Sequence, residues 1–116
     1  MHFDRHEDYF ATLPATARVR LEGIQQEVER RVRGASRCIA YNMPAFRQQR
    51  CFFYFAAFKK HVGIYPPLTA DPALIALTLP FRGPKGNLAF PHDQELPLDL
   101  IGRVATALAK QYQRPD

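Results

Sequence analysis

Between residues 15 and 33 the apolar positions Ala17, Leu21, Ile24, Val28 and Val32 recur every three or four residues. That spacing lines up one buried stripe on an amphipathic helix. Opposite charges four apart, Arg18–Glu22, Glu27–Arg31 and Glu29–Arg33, occupy its outer face. Arginines gather in the last turn, where they oppose the helix dipole, and Gly34 offers a left-handed C-cap. A shorter helix precedes it, with Asp4 as N-cap, Glu7 at capping-box spacing, and Tyr9, Phe10 and Leu13 on the inner side. Pro14 separates the two and suits the first turn of the second.

Beyond residue 37 the pattern shifts towards strands. Residues 38–41 predict a short strand, and Asn42-Met43-Pro44 a bend, because proline fixes its own φ and biases Met43 towards extended geometry. Simple alternation over 51–58 puts Phe52, Tyr54, Ala56 and Phe58 on one face and Phe53, Phe55 and Ala57 on the other. Both faces are apolar, so this strand is expected at the centre of a sheet, covered on both sides or lining a pocket on one. Residues 61–65 read as its antiparallel partner across Lys59-Lys60, stopped by Pro66-Pro67. A short helix follows over 71–79, with Asp71 as cap and Pro72 in the first turn. Then come a loop over 83–86, a strand over 87–90, a turn over 93–97, and a last helix. Leu100, Ile101, Val104, Leu108 and Tyr112 form the apolar face of that helix. The expected class is α+β: two N-terminal helices, a mainly antiparallel β-sheet and a C-terminal helix packed on the sheet.

At 116 residues and 47% hydrophobic content, the chain can bury a core without a metal or a disulfide framework, and is expected to form one domain over 1–116. Cys38 and Cys51 are the only cysteines, which fits a reducing compartment; they read as small buried residues on neighbouring strands. Neither a leader segment nor a span of about 20 apolar residues is visible, so a soluble, cytoplasmic protein with no membrane partner is expected. The net charge of +5 suits an anionic partner. Because the basic residues are spread evenly along both halves, nucleic acid is not among the expected partners.

No catalytic signature is present, and a non-enzymatic protein is expected. The stretch 41–67 concentrates eight of the fourteen aromatic residues together with Arg47, Lys59, Lys60 and His61. Lysines beside a turn and a glycine loop carrying Lys85 and Gly86 could converge on an anion. Tyr41, Met43, Phe46 and Tyr65 would give the pocket its apolar wall. The bland alternative is that paired lysines guard a sheet edge. His2 and His6 have the four-residue spacing of helical metal ligands but lie at a terminus without a third ligand nearby, so no metal site is assigned. The arginines at 30, 31, 33 and 37 read as dipole compensation rather than an anion site.

Certain longer motifs carry a resemblance. Tyr41 and Met43-Pro44-Ala45-Phe46, then Tyr54-Phe55-Ala56-Ala57-Phe58-Lys59-Lys60-His61, Gly63 and Tyr65-Pro66 are similar to the YdhG-like family. Lys85-Gly86, Phe90-Pro91 and Leu96-Pro97-Leu98-Asp99-Leu100-Ile101 extend the match. In that family the loop typically reads Ser-Lys-Gly-Thr; here it is Pro84-Lys85-Gly86-Asn87. The resemblance implies an α+β domain without assigned enzymatic activity, in a small bacterial family linked by name to a frataxin-like intracellular iron chaperone. Iron is implied by the resemblance alone. It would need oxygen-rich ligands, for which Glu22, Glu27 and Glu29 are the candidates. The expected function is a binding module for a small anionic or partly apolar ligand. An iron-binding chaperone and a homodimerising interaction domain are the alternatives.

Overall fold

Helix α1 (His6–Phe10) begins one residue later than the capping pattern predicts. The N-cap is Arg5, whose N–H donates to the Asp8 carboxylate at 3.2 Å, while Asp4 instead accepts from His2. The reason is His6: it is 1% exposed and anchors the turn from inside, so the helix starts where that ring can enter the core. Helix α2 (Ala15–Arg31) follows after Pro14 and buries the expected stripe, Ala17, Leu21, Ile24 and Val28, with Val32 just beyond. Val32 is the C-cap; the chain leaves through a turn in which the Ala35 N–H donates to the Val32 carbonyl at 3.0 Å, and Gly34 does not take a left-handed conformation. The computed structural model describes residues 1–113.

Five strands form an antiparallel sheet in sequence order: β1 (Ser36–Ala40), β2 (Met43–Arg47), β3 (Cys51–Ala57), β4 (His61–Tyr65) and β5 (Leu88–Pro91). β3 is central, as its two apolar faces require. The MPAF segment corrects the sequence reading: it is a strand, and the bend lies before it. Tyr41 and Asn42 both have positive φ, 53° and 58°, which is what a tight two-residue hairpin of the right twist demands. Pro44 is tolerated because it sits opposite Ile39 and the ladder to β3 begins at Ala45, so its missing N–H interrupts no pairing.

A bulge also resets the alternation. Phe46 pairs with Phe53, but Arg47 pairs with Cys51, leaving Phe52 as the extra residue. Phe52 therefore joins Phe53 and Phe55 in the core, and all three are at most 1% exposed. The expected grouping of Phe52 with Tyr54 is overturned by this one insertion.

Helices α1, α2 and α4 (Leu98–Gln111) cover the core face of the sheet. They pack on Phe46, Phe53, Phe55, Val62, Ile64, Leu88 and Phe90. α3 (Pro72–Thr78) leans on α4; its N-cap Asp71 accepts from the Leu74 N–H at 3.1 Å, as the sequence suggests. Arg31 donates to both Glu27 and Asp99 and so ties α2 to α4. His6 fastens α1 to the sheet. Its Nε2–H is shared between the carbonyls of Cys38 (3.1 Å) and Ala45 (2.9 Å), and its Nδ1 accepts from the Gln25 side-chain amide at 2.9 Å.

Candidate functional site

The helices leave the other face of the sheet without a helical layer, and the pairing register determines what stands there. One rung places Cys38, Ala45, Tyr54 and Tyr65 side by side across β1 to β4. The next aligns Ala56 with Gly63 and Gly63 with Ala89. Small residues thus alternate with tyrosines, and the rings shelter the small positions: Ala45 and Ala56 are buried although no helix covers them. Gly63 is required by close approach. A Cβ there would lie 2.9 Å from the Phe58 ring and 3.0 Å from the Tyr65 hydroxyl.

Between these rings lies a groove of about 390 Å³ lined by Tyr41, Met43, Cys51, Tyr54, Tyr65, Pro66, Pro67, Asn87 and Tyr112. Tyr41 projects from the β1–β2 turn and is 84% exposed, with its ring centroid 5.8 Å from that of Tyr54. Tyr65 is followed by a cis peptide bond to Pro66, and Pro66 and Pro67 form part of the groove wall. Tyr112 comes from the end of α4. The lining is aromatic, sulfur-bearing and apolar, with Asn87 and the tyrosine hydroxyls as polar points.

Of the residues singled out in the sequence, the structure brings Tyr41, Met43 and Tyr65 together here. Phe46 is fully buried on the opposite face, edge-on to the His6 ring at a centroid distance of 5.3 Å, and cannot line the groove. His61 shares the groove face but stacks on Phe58 at its far end, at 5.0 Å. Lys59 and Lys60 form the β3–β4 turn, closed by the Phe58 N–H donating to the His61 carbonyl at 2.8 Å. Lys59 borders a different concavity with Leu13, Pro14, Arg20 and His92. Lys85 lies on the loop entering β5, whose Leu88 pairs with Ile64, so it sits at the other end of β4. Five residues at about 3.3 Å each keep the paired lysines and Lys85 roughly 16 Å apart, and the three do not converge.

Gly86 is buried with φ 89°, against Pro67 and Arg82. Its N–H donates to the Gly83 carbonyl, and the Gly83 N–H to the Asn87 carbonyl, so both glycine donors of the loop are already used. Arg47 is exposed at the end of β2. Of the three glutamates suggested for iron, two are engaged, Glu27 with Arg30 and Arg31 and Glu29 with Arg37. Sequence reasoning missed Cys51, Tyr54 and Tyr112 as groove residues. Tyr54 carried a usable signal, as a half-polar residue alternating with phenylalanines; Cys51 did not, because the bulge decides its face.

Two titratable groups beside the groove, Cys38 and Tyr54, are held neutral. Burial, followed by the Cys51 thiol, pushes the Cys38 thiol up to about 12. Burial and the same neighbour push the Tyr54 phenol up to about 12. At neutral pH neither supplies an anionic nucleophile or base.

Two helices, an antiparallel five-stranded sheet in sequence order and a C-terminal helix across its core face define an α+β fold of the YdhG-like type. The same fold occurs in a solved structure of a DUF1801-family protein, YdhG from Bacillus subtilis. The two are 17% identical, with 86% of this chain and 84% of that one covered and a TM-score of 0.71. At this identity the likeness is one of fold. No family model matches the sequence, and no curated protein matches it.

Proposed function

We propose that this chain is a non-enzymatic binding module whose tyrosine groove receives a small molecule with a flat, partly apolar body and an anionic end. The observation that carries this reading is the convergence of Tyr41, Tyr54 and Tyr65 with Met43, Pro66 and Pro67 around one concavity, on a sheet face that no helix covers. Its volume is within the usual range of about 300–1,000 Å³ for small-ligand sites. Aromatic walls favour a planar body through offset and edge contacts. The anionic end belongs at the Asn87 side, where the exposed Lys85 stands two residues away on the same loop. The protonated thiol and phenol beside the groove support binding rather than chemistry.

The test uses 2-naphthoate and its uncharged amide as probes, followed by amide-resolved NMR and thermal shift. Tyr41→Asn removes a wall ring while keeping a residue suited to positive φ. It should weaken naphthoate about fivefold, the equivalent of roughly 1 kcal/mol for one aromatic contact. Lys85→Ala should weaken the acid and leave the amide unchanged. Absence of binding together with a dimeric mass by sedimentation would overturn the proposal in favour of a face closed by a second copy.

A further inference from the structure

Cys38 and Cys51 belong to β1 and β3, with β2 between them, yet their sulfur atoms are 3.7 Å apart. Both side chains are half-buried and neither is in a disulfide. The bulge at Phe52 brings this about, because it places Cys51 with Tyr54 on the groove face, where Cys38 already lies on the Ala45 rung. Ala45 between them has no bulk to keep the sulfurs apart.

The separation has a chemical meaning. Two sulfurs bound to one ion at about 2.3 Å are about 3.8 Å apart in tetrahedral geometry and about 4.0 Å in trigonal geometry. The thiols therefore already stand within a few tenths of an ångström of a chelating bite. A disulfide would need them to close to about 2.0 Å; a shared ion would leave them nearly where they are. Met43, whose thioether is a further soft donor, lines the same groove as Cys51. Among the described residues no group of three His, Cys, Asp or Glu could hold a metal ion, so the donor set is sulfur alone. Zinc and harder ions favour four ligands or oxygen, whereas thiolate and thioether donors select Cu(I).

We propose that Cys38 and Cys51, with Met43 beside them, form a chelating site for a soft monovalent cation of the Cu(I) type at the floor of the groove. Binding transfers no electrons. Each thiol releases its proton to solvent, and the ion accepts a lone pair from each sulfur. The resulting unit carries one negative charge, and Arg47 is the cation whose field reaches Cys38. The site does not depend on an organic ligand occupying the groove.

The reduced protein would be titrated anaerobically with Cu(I) against a chromophoric Cu(I) chelator, bicinchoninate. One equivalent should be withdrawn from the chelator, with two protons released and sulfur-only coordination by X-ray absorption. Cys38→Ser and Cys51→Ser should each weaken retention at least a hundredfold, and Met43→Leu by a smaller factor. The Cys38→Ala/Cys51→Ala variant serves the same purpose should a serine disturb folding, with circular dichroism as the control. Failure to withdraw Cu(I), or equal retention by the double variant, would overturn the proposal; equal retention would place the ion elsewhere, for example at the exposed His2. Naphthoate binding by the double-alanine variant reports separately on the groove.

Discussion

Replacing His6 with phenylalanine isolates what a buried polar lock contributes to this fold. The ring is 1% exposed and edge-on to both Phe46 and Phe55. Phenylalanine restores most of its volume, so the cost of about 3–5 kcal/mol for emptying an aromatic site is avoided. What remains is polar: the Cys38 and Ala45 carbonyls lose a shared donor and the Gln25 amide loses its acceptor. Each unsatisfied buried group costs about 1–3 kcal/mol and the costs overlap, so a loss of roughly 2–4 kcal/mol is expected. That is a large part of the roughly 5–15 kcal/mol typical of a domain. Urea denaturation followed by circular dichroism measures it. The same lock sets a pH dependence. Burial lowers the folded pKa of His6 below its ordinary 6.5. Between that lowered value and 6.5 the unfolded chain binds more protons, so stability is complete above 6.5 and declines as pH falls through this window. The slope is at most about 1.4 kcal/mol per pH unit. Because other groups titrate in both proteins, the difference between wild type and His6→Phe carries the signal, and it should shrink on acidification. A variant within 0.5 kcal/mol of wild type (about the noise of additivity), or a difference that stays constant from pH 7.5 to 5, would refute the reasoning.

Three further outcomes are expected. Tyr9→Phe removes a hydroxyl that accepts from the Ala57 N–H at 3.1 Å and should cost about 1 kcal/mol in the same denaturation assay. Gly63→Ala should leave the helix-side core unchanged but displace the Phe58 and Tyr65 rings, so naphthoate binding falls while the urea midpoint moves by less than about 1 kcal/mol equivalent. Iodoacetamide at pH 7.5 should modify Cys38 far more slowly than free cysteine, because its thiol is held protonated; rapid alkylation in the folded state would contradict the contact with Cys51.

The amphipathic helices and the central strand were legible because burial imposes a period on the sequence. Ala17, Leu21, Ile24 and Val28 announce α2 without any knowledge of their neighbours. Met43–Arg47 was harder to read: a proline argues against a strand only where its N–H is needed, and that depends on where the ladder to β3 begins. His6 was opaque for a related reason. Two of its partners are backbone carbonyls 32 and 39 residues away, and a carbonyl is present whatever the residue type. The aromatic wall of the groove was partly visible in Tyr41, Met43 and Tyr65. The supposed convergence of Lys59, Lys60 and Lys85 was not settled by the sequence, because a count of charges carries no information about which end of β4 each one occupies.

One residue in β3 divides the aromatic run between two uses. With Phe52 as the extra position, it and the phenylalanines after it, Phe53 and Phe55, belong to the interior, and the cysteine before it belongs to the groove. Deleting that residue would restore simple alternation with Cys51 two positions from Tyr54, so the cysteine stays on the groove face and the interior loses one ring. A lineage could therefore gain or lose the interior ring of Phe52 through a single codon insertion or deletion while keeping both the sulfur pair and every helix. The length of the segment between Arg47 and Tyr54, more than the identity of its residues, is the trait to follow when this surface is compared among chains of the same fold.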